Sequence, residues 1–305
     1  MKKTTGALIS ICLLLSLAGC ASLTSGIGNT LVGAATGNPS DVEKVSKVTT
    51  SVQKATEDFT PEQEYYIGRT VAATVLGMYK PWDIQKANDY LNTLGRSLSQ
   101  ASVLPETFKG YHFLIMDTDE INAFGAPSGF VLVSRGLLRC ATSEDEVAAI
   151  LAHEIGHVSL KHGMSAISSS RKTEALLEIA KFAASSSGND ILSGLTASFG
   201  GVIGDIVKTM VTSGYSRDLE KQADLEGIRI LHDVGYDPRA LVRVLTAMET
   251  KLKPGGKDFA KTHPDPEVRI AYLNDAIKGQ TPVTPAAAAQ VKARAARYQA
   301  ALGNI

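Results

Sequence analysis

His153-Glu154-Ile155-Gly156-His157 is the segment of this chain whose residue types and spacing can do chemistry. On an α-helix, residues four apart share a face, so both imidazoles can reach one metal ion. Glu154 lies at the edge of that face. It can take a proton from a water at the metal without binding the metal itself. Zinc suits such a site and brings the pKa of a bound water toward neutrality. One zinc ion per chain is therefore the expected cofactor. An H-E-x-x-H match can arise by chance, and context decides. Here the segment lies in a periodic stretch carrying Val147, Ile150, Leu151 and Val158 on one side, opened by a Ser143/Glu146 capping box.

Two histidines leave the metal short of a protein ligand. One class of zinc peptidases extends the motif to H-E-x-x-H-x-x-G-x-x-H, but those added positions hold Leu160 and Gly163 here, which excludes that class. His162 is one residue off. Continued helical geometry points it away from the His153/His157 face, and it is expected at the surface near the helix C-terminus. A glutamate on a second helix is the remaining solution. Ser216 to Asp224 supplies Glu220 as third ligand. Asp224, four residues on, can accept a hydrogen bond from a liganding imidazole. Read without the first helix, an E-x-x-x-D pair is more often a solvated helix face.

These side chains need a scaffold. Thr60-Pro61-Glu62-Gln63 reads as a helix start, with Thr60 as cap and Gln63 closing a capping box. That helix runs to about Tyr79, and a second spans about 83–100. Residues 111–116 and 129–134 read as strands, with 122–127 as loop or edge between them. A helix is expected at 171–184, a breaker cluster at 185–190, then an apolar, glycine-studded stretch to 212. A buried or lipid-touching hairpin over the active site fits that stretch better than a membrane span, because Asp205 and several glycines interrupt it. The 185–214 segment is a candidate gate. Helices follow at 216–232, from Asp237-Pro238 to about Leu252, and from Asp265-Pro266. The alanine-rich end, 285–302, reads as a peripheral helix.

The HEIGH helix, then Tyr215-Ser216-Arg217 leading to Glu220 and Asp224, then Thr262-His263-Pro264 ahead of Arg269-Ile270, resembles the HtpX/CAAX prenyl protease/BepA-type family of zinc metallopeptidases. Asn122-Ala123-Phe124, Pro127-Ser128-Gly129-Phe130 and Arg135-Gly136-Leu137-Leu138 resemble the same family's segment ahead of its zinc helix. The resemblance covers about 60–276. It implies a compact, mostly helical α+β gluzincin fold with a small sheet. It implies an active-site edge strand carrying Gly129, Phe130 and Val131, to which an extended substrate could add as a further strand. It places His263 beside the site, where it would hold the substrate carbonyl or its oxyanion. Arg269 would brace the fold by pairing with an acidic residue, with Asp224 the candidate. Family motifs often carry two glycines after the proline, whereas this chain has Ser128-Gly129. The chain sits with the exported branch that lacks the membrane helices of HtpX.

The rest of the 305 residues frames that reading. Lysine plus arginine equals aspartate plus glutamate at 31 each, so no basic excess argues for nucleic acid as a partner. Lys2 and Lys3, the apolar run from Ala7 to Leu17 and Leu17-Ala18-Gly19-Cys20 read as a lipoprotein signal, residues 1–19, cut before a lipidated Cys20. Residues 20–59 read as a tether, with a polar helix at 40–54. The metallopeptidase domain is expected at 60–276 and the C-terminal helix at 277–305. Cys140 is then alone, so the fold stands on its core without a disulfide.

The expected setting is the bacterial envelope, with the chain attached to a membrane through its lipid. Ala21 favours the outer membrane, facing the periplasm. The expected partners are polypeptide substrates, with misfolded outer-membrane proteins as the family-level guess. A rival reading is a zincin-fold chaperone or assembly factor for outer-membrane proteins with latent protease activity. A purely structural zinc is disfavoured, because such sites close with four protein ligands and favour cysteine.

Overall fold

The computed structural model describes residues 59–167, 200–251, 263 and 266–305. The lipobox, Cys20, residues 20–58 of the tether and the 171–184 helix lie outside the described residues, as does 185–199 of the candidate gate. The elements run α1 (Pro61–Met78), α2 (Gln85–Ser99), β1 (His112–Met116), β2 (Ala123–Ala126), β3 (Phe130–Ser134), α3 (Arg135–Leu138), α4 (Glu144–Ser159) and α5 (His162–Ser165). After 199 come α6 (Gly200–Lys208), a π-helical turn (Thr209–Ser213), α7 (Arg217–Val234), α8 (Arg239–Lys251), α9 (Pro266–Lys278) and α10 (Ala288–Leu302).

Local chemistry accounts for several of these boundaries. At Thr60 the capping box is reciprocal, with Pro61 in the first turn. At Ser143 it is only half formed. The serine hydroxyl accepts from Glu146 N–H, while the Glu146 carboxylate accepts from Thr142 N–H and Oγ1–H instead. Asp237 Oδ1 accepts from Arg239 N–H at the start of α8.

The sheet has three strands in the order β1-β3-β2. β1 runs parallel to β3 and β2 antiparallel to it, with Gly125 opposite Val131. This corrects the edge-strand expectation. Phe130 and Val131 lie on the central strand, paired on both sides, and Gly129 closes the turn before it. β2, the segment expected as loop or edge, is a sheet edge. Four consecutive inter-strand pairs need only a short run, which a signal built on longer alternating strands misses.

Alternate side chains of the sheet feed two cores, as the period-two geometry of strands demands. Phe113, Ile115, Val131 and Val133 join the larger core. Met116, Phe124, Ala126 and Leu132 join the smaller one, with Ile67, Val71 and Val75 of α1 and Val202, Ile203 and Ile206 of α6. α4 runs through the larger core and is buried from Glu146 to Ser159 on every side. A helix enclosed all round is central, not amphipathic. α7 crosses it at close range. A Cβ on Gly156 would stand 2.8 Å from Ala223 O, and one on Gly227 would stand 3.3 Å from His153 N. Small residues at this crossing let two backbones approach and set the carboxylates of α7 beside the histidines of α4.

α10 closes over the N-terminal end of α4. Tyr298 and Leu302 enter the larger core. Arg297 pairs with buried Glu144 at 2.5 Å, and Arg294 with Asp145 at 2.9 Å. The guanidinium of Arg294 also lies over the Tyr236 ring at 3.9 Å. Anionic residues in the first turn of α4 oppose the positive end of its dipole, and the two arginines of α10 complete that cluster.

Candidate metal centre

α4 supplies His153, Glu154 and His157, and α7 supplies Glu220 and Asp224. His153 Nε2 and His157 Nε2 lie 3.2 Å apart. Glu220 Oε2 is 3.7 Å from His153 Nε2, and Glu220 Oε1 is 3.4 Å from His157 Nε2. His263 joins them, its Nδ1 2.8 Å from Glu220 Oε2. One donor atom from each of His153, His157, Glu220 and His263 falls within 4.8 Å of the others, and all four residues are buried.

The donor set fits a divalent cation. Glu220 Oε1 is buried and has no hydrogen-bond partner. A carboxylate oxygen left so in the interior is costly unless a cation takes it. Imidazole and carboxylate are ligands that zinc accepts. Electrostatics points the same way. Burial, reinforced by the charges of His153 and His263, holds His157 well below the usual histidine range, so its ring is neutral, as a ligand must be. Burial opposes ionisation of Glu220, but His263, His153 and Arg269 outweigh it and lower its pKa.

A second layer of contacts holds the first. His153 Nδ1 faces Asp224 Oδ1 at 2.9 Å. Asp224 in turn accepts from Arg269 Nη2–H at 2.6 Å and Nε–H at 2.9 Å, and from the Tyr272 hydroxyl. Arg269, on α9, is almost fully buried beside this carboxylate. Burial alone would raise the Asp224 pKa; Arg269 and His153 hold it well below the carboxylate range instead. The sequence marks Asp224 and Arg269. Tyr272 was missed, because nothing in its local pattern ties a half-buried tyrosine three residues past Arg269 to a carboxylate on another helix.

Glu154 is 2% exposed. Burial raises its pKa against the opposing charges of His153 and His263. β2 rides directly above it. A Cβ on Gly125 would stand 2.7 Å from Glu154 O and 3.3 Å from Glu154 Oε2, so only glycine lets the strand lie this close. The strand that approaches Glu154 is thus β2, in place of the Gly129–Val131 segment.

His162 is the other correction. It is 1% exposed, and its Nδ1 lies 3.0 Å from His157 Nδ1. The expectation extended α4 through this residue. The helix instead stops at Ser159, and Lys161 takes φ +57°. That left-handed residue turns the chain back, so His162 begins α5 facing inward. Tyr215 packs beside it, its ring stacked on that of His157 at 4.5 Å and 21°.

Two histidines from one helix and a glutamate from a crossing helix form a set of groups that could hold a metal ion, with a second buried glutamate adjacent. Residues 85–277 match the model of peptidase family M48, and the chain belongs to that family. Among similar proteins is the beta-barrel assembly-enhancing protease of Escherichia coli strain K12, 29% identical over 189 residues, covering 60% of this chain and 37% of that protein. The protein of the same name from Yersinia pestis is 28% identical over 215 residues, covering 68% of this chain and 41% of that one. A mitochondrial metalloendopeptidase of Schizosaccharomyces pombe is 30% identical over 156 residues, covering 50% and 43%. The chain thus spans about two fifths of the length of these curated relatives.

Proposed function

We propose that this protein is a zinc-dependent metalloendopeptidase that cleaves exported or envelope polypeptides. The observation that carries the reading is the buried His153/His157/Glu220 donor set with Glu154 next to it. Zinc at this set would supply Lewis-acid activation of the scissile carbonyl and of water. His153, His157 and Glu220 would hold it. Glu154 takes the proton of the attacking water and passes it to the leaving amine. Its raised pKa suits both halves of that transfer. Asp224 keeps the His153 ring in place through Nδ1. An extended peptide pairs with the β2 edge, which brings its backbone over Glu154.

The relatives named for β-barrel assembly support outer-membrane proteins in quality control as the substrate class. Lipidation at Cys20 would attach the domain to the outer membrane through a 20–59 tether, facing the periplasm. Among the described residues no helix is long and apolar enough to cross a membrane.

A second reading has its own observation. His263 lies within ligand range of the other three donors, whereas the resemblance had assigned it to the substrate carbonyl. Four protein donors close a zinc shell, and a catalytic shell keeps one position open. In this reading the chain is a zincin-fold chaperone or assembly factor whose protease activity is latent until His263 moves.

One experiment separates the two. The full chain and its Glu154→Gln variant are assayed on casein and on a denatured outer-membrane protein, with bound zinc measured in both. About one zinc per chain in both, with cleavage reduced about 10²–10⁴-fold in the variant, is the expected result. Zinc in both and cleavage in neither favours the latent reading. Absence of zinc from the parent sinks both readings.

A further inference from the structure

The two histidines of α4 are held by different kinds of partner. His153 Nδ1 rests on Asp224, a carboxylate already paired with Arg269. His157 Nδ1 rests on His162 Nδ1, 3.0 Å away, another imidazole. Two ring nitrogens at this distance form a hydrogen bond only when one carries a proton and the other a lone pair. His157 faces Glu220 and His153 with Nε2, so Nε2 is its ligand atom and its proton sits on Nδ1. His157 is then the donor and His162 Nδ1 the acceptor.

We propose that His162 is a positioning residue of the metal centre, fixing the tautomer and ring plane of His157 through an Nδ1–H···Nδ1 hydrogen bond. The inference rests on the metallopeptidase reading. The plain alternative is that His162 merely fills space where α5 packs. The backbone argues against it. Lys161, a residue with a Cβ, adopts the left-handed φ of +57° that turns His162 inward. The His157 ring is also clamped from its face by Tyr215, whose ring centroid lies 4.5 Å from that of His157 and 5.9 Å from that of His162. A ring stacked on one face and hydrogen-bonded at its rear nitrogen has one orientation left, the one that presents Nε2 to Glu220.

The test compares the full chain with His162→Leu and His162→Asn, measuring zinc affinity by competition with a chromogenic chelator. Thermal unfolding of each metal-free form runs alongside. The leucine variant removes the acceptor and is expected to bind zinc about 10–100-fold more weakly. The asparagine variant, whose Oδ1 can accept the same bond, is expected to recover most of that loss. Imidazole ¹⁵N spectra of the zinc-loaded parent give a reading that needs no variant to fold. They are expected to show His157 protonated on Nδ1, with scalar coupling to His162 Nδ1. Unchanged affinity in the leucine variant overturns the inference, as do equal losses in both variants or a His157 protonated on Nε2. A parent that binds no zinc overturns the metallopeptidase reading and this inference with it.

Discussion

At the scale of single residues, the centre is built from charged groups that tolerate burial only together. Asp224 accepts from Arg269, Tyr272 and His153 within one enclosed space. Removing one partner of such a set leaves the others without compensation, which typically costs about 3–5 kcal/mol. Asp224→Asn is therefore expected to destabilise the metal-free protein by that order in urea unfolding. Its zinc affinity is expected to fall about 10–100-fold, because His153 loses the acceptor at its rear nitrogen. Ser128 is a residue-scale case of the opposite sign. It takes φ +61°, a left-handed conformation that suits glycine, where the family often carries one. Ser128→Gly is expected to be neutral or stabilising by up to about 1 kcal/mol, read as a shift in urea midpoint. A clear loss of stability would mean that the buried Ser128 side chain makes a contact worth more than the strain.

Among the elements, the α4/α7 crossing decides whether a site exists at all. H-E-x-x-H and Glu220-x-x-x-Asp224 are each legible along the chain, and each ligand face follows from helical periodicity. The distance between the faces does not. It depends on Gly156 lying 2.8 Å, by its absent Cβ, from Ala223 O. Gly156→Ala must push the helices apart, and overpacking of this kind costs about 1–3 kcal/mol. The expected outcome is lower stability together with weaker zinc binding, measured by urea unfolding and chelator competition on the same preparation. Loss of stability with unchanged zinc affinity would show that the crossing angle absorbs the methyl without moving Glu220.

For the whole molecule, the phenols give a pH dependence with a definite sign. Burial and donation to Glu120 push Tyr79 up to about 12, and burial pushes Tyr111 up to about 12. Burial beside Glu144 raises Tyr90 and Tyr236 as well. A pKa raised by folding means that the folded state holds the proton more tightly. Its stability is full below the unfolded phenol value near 10 and falls as pH rises toward 12. Tyr111 alone, which donates to Leu104 O from the larger core, carries on the order of 2–3 kcal/mol of that loss. Urea midpoints are expected to hold level through neutrality to about pH 9 and then drop steeply. A flat profile to pH 12 would remove the assignment of buried, protonated phenols.

The local part of this protein is legible along the chain. Helix periodicity placed His153, Glu154 and His157 on one face and Glu220 with Asp224 on another. The Thr60 and Ser143 caps marked where α1 and α4 begin, because capping needs only neighbours in the chain. The tertiary structure decided everything that depends on backbones meeting. It put β3 in the middle of the sheet and β2 over Glu154, because pairing order is set by which strands bury their faces, not by the pattern within one strand. It turned His162 inward, because one left-handed residue ended a helix that periodicity would have continued. It drew His263 to Glu220, which lie 43 residues apart in the chain.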